Sequence, residues 1–520
     1  MTSKYNHIIL LFLLIACYLA NGISSIQRLS ITADEGSHLA FGIKMLKGDP
    51  ARTNPEKDNS KMPISVLNAL PRAIEQYFQP NLSRDDNGVM DTVHGRYITL
   101  FFSVLIILLV FQWSRSLYGT HAGLFSAFLY CCCPNSIANA VLVTTETYSA
   151  FFLLATMYFF WRSVDTGRSR DLVWFALSLA GAQLAKQSLF HLYVLVPVCM
   201  LLLLLVQKQR LRLGRSMGRV LFVALVSLLL INAGFIFWHV GKPLGEYHFM
   251  SNLFQRVQQV LPAGLPMPFS ESFITGLDQA KYYDQLGGGF VQSSFANVTI
   301  LDKSSTGGSF WYYYFVSLFF KTPISYLLIF ACAGWLLVRK QSLRQFMQRE
   351  FFLLAPVVYY LVVFSFLYKT QCDIRHIVFL YPLLFVCSGI VYQYAASKLS
   401  RWLLVAAGVW LLLSVGSYFN NYYAYTNEFI TDKKEAYRFV GASNLNFNQS
   451  DYFLRDYLRT HPDVQPAPAY PKTGRFVLSV DQYLDIWNTG KYQWLRKKKP
   501  IGHIAHSYLL FVITDSDLQP

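Results

Sequence analysis

Charge is what this chain has least of. Only 14% of its 520 residues are Asp, Glu, Lys or Arg, against 53% hydrophobic. Soluble domains carry about a quarter charged residues, so an ordinary soluble protein is excluded. Acids are scarcer than bases, 29 against 45, leaving a formal net charge of +16. In a soluble chain that surplus would suggest nucleic acid. Here the bases cluster in short loops between apolar runs, the pattern of positively charged cytoplasmic loops, and no nucleic-acid module is present. Cysteine is sparse and unpatterned: of eight, seven lie in apolar runs, Cys372 falls in a short loop, and none forms a CxxC pair. That excludes a zinc ribbon or a disulfide framework and leaves small hydrophobes. The phosphate-cradling GxxxxGK[ST] pattern is missing too. Gly287-Gly288-Gly289 reads as a flexible turn with no such motif around it. There is no internal repeat and no low-complexity tract.

Long apolar runs are what the chain does have. Each is roughly 20 residues, the length that crosses a bilayer core. About eleven spans are expected, near 8–25, 95–117, 121–142, 147–162, 171–187, 189–206, 218–238, 310–338, 349–368, 374–394 and 401–418. The fold class is therefore mainly α, a polytopic membrane protein. The first run, about Ile8 to Ile23, reads as an uncleaved signal anchor, because losing it would free the segment that follows from its scaffold. The bases orient the chain. Lys4, Arg115, Arg162, Arg168, Arg170, Lys208, Arg210, Arg212, Arg215, Arg219, Arg339, Lys340, Arg344, Arg349, Lys398 and Arg401 all fall on one side if the N-terminus is cytoplasmic.

The outer face then receives loop 26–94, the turn ending in Thr144-Thr145-Glu146, loop 239–309 and everything after about residue 420. In the first loop, Leu39, Ile43 and Leu46 share a helical face, Gly48-Asp49-Pro50 breaks it, and a second amphipathic helix is expected over about 64–78. Both suit helices lying in the membrane interface. The region 1–419 reads as the membrane domain. Residues 420–520 read as a small extracytoplasmic α/β domain, with strands at 476–480 and 508–513 and a helix at 450–460.

One stretch stands out: Thr32-Ala33-Asp34-Glu35-Gly36-Ser37-His38, directly after the first span. Carboxylates at a membrane boundary are costly unless they have a partner or a task. An outward-facing membrane enzyme has no access to cytosolic nucleotide sugars, so an activated sugar there is carried on a lipid. Its transfer needs a base for the acceptor hydroxyl, cations for the leaving phosphate and an apolar groove for the lipid tail. A single displacement inverts the anomeric centre and needs one carboxylate base, whereas a double displacement needs a second carboxylate as nucleophile. Asp34 suits the base, with Glu35 beside it. Lys61, Arg96, Lys186, Arg375 and His376 are candidate phosphate ligands, Glu146 and His38 candidate ordering groups. The bland alternatives are a helix cap for the acidic pair, a dipole-favoured acid at Glu146, a structural His38 and an interfacial anchor at Arg375-His376. Lys321, inside an apolar run, can snorkel, pair or meet an anionic ligand.

The ordered set resembles the GT-C superfamily of membrane glycosyltransferases, in the branch of protein O-mannosyltransferases and aminoarabinose transferases. Asp34-Glu35 with His38, Gly42 and Gly48-Asp49 resembles that family's first outer-loop signature. Lys61-Met62-Pro63-Ile64 resembles its lysine–proline stretch, although Met62 stands where a first proline is usual. His94-Gly95-Arg96, Tyr118-Gly119, Pro134, Ala185-Lys186, Trp311-Tyr312-Tyr313 with Lys321-Thr322-Pro323, and Arg375-His376 with Pro382 resemble further motifs in the family's order. Glu146 stands where aspartate is commoner. The C-terminal Asn444–Asp451, Trp494-Leu495-Arg496 and Pro500-Ile501 are similar to bacterial members, and no β-trefoil insertion is visible in loop 239–309.

The resemblance implies an inverting transferase moving mannose or a similar sugar from a polyprenyl-phosphate donor. The acceptor is a protein Ser/Thr or a lipid or glycan hydroxyl, the place the outer face of a bacterial inner membrane. It implies Asp34, Glu35 and Glu146 as catalytic, Lys61, Arg96, Lys186, Arg375 and His376 as donor-phosphate ligands, His38 as ordering, and no metal or cofactor beyond the lipid-linked donor. The rivals are a transporter or flippase of lipid-linked sugars and a non-catalytic relative. Transporters carry broken or charged helices at the membrane midplane, whereas here the polar residues gather at one face.

Overall fold

The computed structural model describes residues 2–79, 88–207, 213–287, 289–291, 294–496 and 498–518. Lys208, Arg210, Arg212 and Gly288 lie outside the described residues.

Every expected apolar segment is helical, but not every one is a single helix. Thr2–Arg28, Val89–Tyr118, Glu146–Thr166, Ser169–Ala185, Leu192–Gln207, Leu213–Gly234 and Lys398–Gly416 are unbroken. The segment 121–142 splits into Thr120–Cys131 and Pro134–Ala140. Pro134 has no N–H to continue the first helix and is pre-set to begin the second. The segment 310–338 splits into Tyr313–Lys321 and Ile324–Lys340, bent by 114° around Thr322-Pro323. Phe351–Val362 ends in a π turn over Val363–Leu367, and Arg375–Val378 precedes Tyr381–Tyr394. The helices follow the expected segments, and their number is close to the expected eleven though not exactly that. Among the described residues five helices are by themselves long and apolar enough to cross a membrane, or six with the bent pair. At Pro134 and at Thr322-Pro323 the break is buried in the protein, where a bilayer tolerates non-helical backbone.

A continuous apolar core runs through the bundle, with Trp113 fully buried and stacked on Trp161 at 6.0 Å. The first outer loop folds as expected into helices Glu35–Leu46 and Ser65–Phe78, packed on each other and on Val89–Tyr118. Gly42 permits that crossing: a Cβ there would stand 2.3 Å from the Ser65 carbonyl oxygen. Asn68 donates to the Gly95 carbonyl and to Thr99, each at 2.8 Å, and so ties the loop to the long helix. In loop 239–309, helix Glu271–Leu286 brings the buried Asp278 carboxylate against the backbone N–H groups of Met250 and Ser251, at 2.8 and 2.9 Å.

After residue 460 a four-stranded sheet forms, in the order Val464–Pro466, Gly474–Ser479, Tyr508–Ile513, Gly502–Ile504. The first pair is parallel and the others antiparallel. Register pairs Phe476 with Phe511 and Leu478 with Leu509 on its buried face. The helix Asp451–Thr460 also forms. Between the last membrane helix and this sheet, Tyr422, Tyr423, Tyr425 and Phe447 join the core of the helical bundle. Ser30 N–H donates to the Gln449 carbonyl and Ala33 N–H to the Phe447 carbonyl, both at 3.2 Å. These bonds bring the C-terminal segment against the stretch that precedes Asp34.

Candidate active site

Asp34 occupies the N-cap of helix Glu35–Leu46, yet its side chain makes no capping hydrogen bond. An aspartate there normally serves the orphan N–H groups of the first turn. Instead its carboxylate accepts from the Arg375 guanidinium, Nη1 to Oδ2, at 2.9 Å, and keeps 37% of its surface open. Burial opposes ionisation, but the charges of Lys61 and Arg375 outweigh it and hold the Asp34 carboxyl well below the usual carboxylate range.

Glu35, one residue on, points elsewhere. It is fully buried and takes four hydrogen bonds: from Arg96 Nε at 2.8 Å and Nη2 at 2.6 Å, and from the N–H groups of Thr32 and Val143 at 2.8 Å each. Arg96, 1% exposed, spends its remaining donors on the carbonyls of Ile26, Leu29 and Ser30. The structure gives Glu35 and Arg96 to each other, as a buried rivet between the first span, the outer loop and the turn before Glu146. It does not bring them to the open side of Asp34.

The other expected residues do gather. Arg375 lies between Asp34 and Asp373, with Nε 3.0 Å from Asp373 Oδ2, and its guanidinium stacks over the Phe447 ring at 4.1 Å. Glu146 begins helix Glu146–Thr166, where the helix dipole favours an anion, and pairs with Lys186 at 3.1 Å. Lys186 follows the last residue of helix Ser169–Ala185 in extended backbone. Lys61 is buried, and among the described residues its ammonium has no hydrogen bond or ion pair. Burial lowers its pKa, which Asp34 and Glu146 partly counter. His38, buried behind Asp34, bonds through Nδ1 to Ser65 Oγ at 3.4 Å. Burial and the Lys61 charge push its pKa down to about 3, so the ring is neutral. His376 lies within electrostatic reach of Lys186, Arg375, Glu146 and Asp34. Two of the expected acids, three bases and two histidines thus share one site. Among the described residues no group of three or more His, Cys, Asp or Glu side chains has the geometry to hold a metal ion.

Several residues outside the expected site set order this site. Asp373 anchors Arg375 and accepts from the Tyr423 hydroxyl at 2.6 Å. Its signal was available, an acid two positions before the arginine. Arg52, 9% exposed, donates to the Lys61 carbonyl at 2.6 Å and the Ser272 carbonyl at 2.9 Å, so it fixes the Lys61 backbone. The Ile64 N–H donates to the Leu184 carbonyl at 3.2 Å, which docks the same stretch beside Lys186. Asn444 accepts from the Ile374 N–H and donates to the Tyr313 hydroxyl. Lys321, the buried lysine, donates to the Tyr423 carbonyl at 2.7 Å and to that of Asn444, so it holds the C-terminal segment rather than facing the site.

The archaeal oligosaccharyltransferase of Archaeoglobus fulgidus in the apo form superposes with a TM-score of 0.52. The match has 12% identity and covers 91% of this chain and 62% of that one. The same organism's AglB, in complex with an inhibitory peptide and a dolichol-phosphate, gives 0.50 at 10% identity, covering 91% and 61%. ArnT from Cupriavidus metallidurans bound to undecaprenyl phosphate gives 0.48 at 13% identity, covering 98% and 99%. This chain thus spans less than two thirds of the oligosaccharyltransferases it resembles in fold. No curated protein sequence matches it. The chain shares the fold of these two oligosaccharyltransferase structures. Its residues 89–238 match the family described as dolichyl-phosphate-mannose-protein mannosyltransferase. That match includes Arg96, Glu146 and Lys186 but not Asp34, Lys61 or Arg375.

Proposed function

We propose that this chain is an inverting glycosyltransferase that moves a sugar, mannose or a similar hexose or pentose, from a polyprenyl-phosphate donor to a hydroxyl of a protein, lipid or glycan acceptor. The site faces outward from a bacterial inner membrane, with the N-terminus in the cytoplasm. The observation that carries this reading is the Asp34 carboxylate: partly open, not used as a helix cap, and set among Lys61, Arg375 and the Glu146–Lys186 pair.

In the reaction, Asp34 accepts the proton of the acceptor hydroxyl as that oxygen bonds to the anomeric carbon. The bond from that carbon to the phosphate oxygen breaks on the opposite face, which inverts the centre. The phosphate leaves with one more negative charge. Lys61, without another partner among the described residues, receives it together with Arg375 and His376. Lys186 holds Glu146, and Glu146 orders the cations around the phosphate. Asp373 and Phe447 fix Arg375, and His38 stays neutral behind Asp34. Glu35 and Arg96 hold the loop in register and take no part in the chemistry.

The cations that hold Asp34 ionised also make it a weak base in the empty site. Donor phosphate compensates Lys61 and Arg375, and that raises the basicity of Asp34 only once the donor is bound. A site built this way does not abstract protons without its donor. The test is transfer from polyprenyl-phosphate mannose to a panel of hydroxyl acceptors by the purified chain in lipid nanodiscs. Asp34→Asn is expected to reduce turnover at least 100-fold. Undiminished turnover refutes the assignment of the base. Accumulation of lipid-linked sugar across vesicles without transfer replaces the reading with transport.

A further inference from the structure

The end of the bundle opposite Asp34 carries a second cavity that the proposed reaction does not use. It measures about 640 Å³ and lies between helices Val89–Tyr118, Glu146–Thr166 and Ser169–Ala185. That is within the range of ligand pockets, roughly 300–1,000 Å³. Its walls are apolar, including Leu108, Phe152, Phe159, Trp174 and Leu177, with Phe159 and Trp174 stacked at 5.9 Å. Its mouth is basic. Arg162, Arg168 and Arg170 all line it, against a single acid, Asp171. Asp171 is buried and already engaged, by Thr166 Oγ1 at 2.5 Å and by Arg162 at 3.8 Å. Arg168 and Arg170 are exposed and have no ion pair among the described residues. Arg219, on helix Leu213–Gly234, adds a fourth base beside them through its bond to the Gly167 carbonyl at 2.9 Å.

We infer that this groove is a site for an anionic phospholipid of the leaflet opposite the Asp34 face, with its acyl chains between the aromatic walls and its phosphate on Arg168 and Arg170. The charge complementarity is specific to the mouth. Arginine forks match phosphate oxygens in pairs, and the apolar floor matches a chain rather than a soluble anion. The occupant is not the sugar donor in its reacting position. Arg162 is sixteen residues along the same helix from Glu146, which at 1.5 Å per residue is about 24 Å. A phosphate on these arginines therefore lies nearly a bilayer core away from Lys61. Bound there, the lipid fills a gap on the membrane-facing side of the two helices that end at Glu146 and Lys186.

The test uses the full chain, purified in neutral detergent and placed in nanodiscs of phosphatidylcholine with and without phosphatidylglycerol. Native mass spectrometry counts retained lipid. The expected result is one phosphatidylglycerol retained in preference to phosphatidylcholine, with the preference falling at least tenfold in Arg168→Gln/Arg170→Gln. The paired control Arg339→Gln/Arg344→Gln, at another loop on the same side, is expected to keep it. A filled groove, Leu177→Trp with the arginines intact, is expected to lose retention as well. Equal loss in the control pair reduces the effect to general surface charge and overturns the site. So does equal retention of phosphatidylcholine. Displacement of phosphatidylglycerol by an equimolar polyprenyl phosphate overturns the choice of occupant.

Discussion

Glu35→Gln and Asp34→Asn are neighbouring isosteric changes with opposite expected consequences. Glu35 accepts two bonds from Arg96 and two from backbone N–H groups, in a place with no solvent access. Glutamine keeps the size but removes the charge, and it turns an NH2 donor towards groups that are all donors. The Arg96 guanidinium is left buried with only carbonyls for company. Breaking a buried pair in this way costs about 3–5 kcal/mol. Asp34, by contrast, is partly solvated, and its bond to Arg375 is backed by Asp373. A partly exposed pair contributes about 0–1 kcal/mol, so Asp34→Asn is expected to leave folding nearly untouched. Thermal unfolding in detergent, followed by intrinsic fluorescence, reads the stability, and sugar transfer at low temperature reads turnover. Glu35→Gln is expected to unfold several degrees earlier yet retain substantial turnover per folded molecule. Asp34→Asn is expected to unfold normally and turn over at least 100-fold more slowly. A Glu35→Gln protein with unchanged thermal behaviour and abolished turnover refutes the division of labour.

Lys61→Ala is expected to raise the donor KM about tenfold or more, with Lys61→Arg recovering part of it; an unchanged donor KM removes Lys61 from the phosphate site. Donor binding is expected to shift the acid limb of the pH profile. The limb of kcat/KM for the donor, which reports the free enzyme, should fall below the ordinary carboxylate range, near 3.9, while that of kcat moves upward as bound phosphate compensates the cations. Coincident limbs contradict base activation by the donor. Gly42→Val, pressing its side chain onto the Ser65 carbonyl, is expected to cost about 1–3 kcal/mol and to loosen the Lys61 loop. In the C-terminal segment, buried Asp481 has one oxygen bonded to Asn446 at 2.7 Å and the other without a partner among the described residues, and burial raises its pKa to about 7. The folded state therefore holds a proton that the unfolded chain releases near pH 4, so stability falls as pH rises from about 4 to 7. Asp481→Asn is expected to flatten that decline in thermal midpoints measured from pH 5 to 9.

Much of this was legible in the chain itself. The apolar runs specify helices because a bilayer leaves the backbone few alternatives, and strands at 476–480 and 508–513 follow from short apolar runs that form 474–479 and 508–513. The position of Asp34 directly after a span, and the basic lysine and arginine motifs far from it in sequence, were readable as a set. Their pairing was not. Arg375 and Asp34 are separated by 341 positions, and no local pattern encodes a contact that depends on how a dozen helices pack. The breaks at Pro134 and Pro323 were visible as prolines, but their effect on the span count depended on what packs around them.

The sharpest example is the acidic pair itself. In sequence Asp34 and Glu35 are equivalent, two adjacent carboxylates at one membrane boundary. In the fold, Asp34 is the residue before the helix and Glu35 the first within it. Successive side chains at a helix start diverge by about 100°, so one carboxylate looks into the site and the other into the core. Chain chemistry determined that a costly pair of acids sits at that boundary. Only the tertiary structure, by supplying Arg96 to one and Arg375 to the other, decided which of them is a buried rivet and which stays partly open.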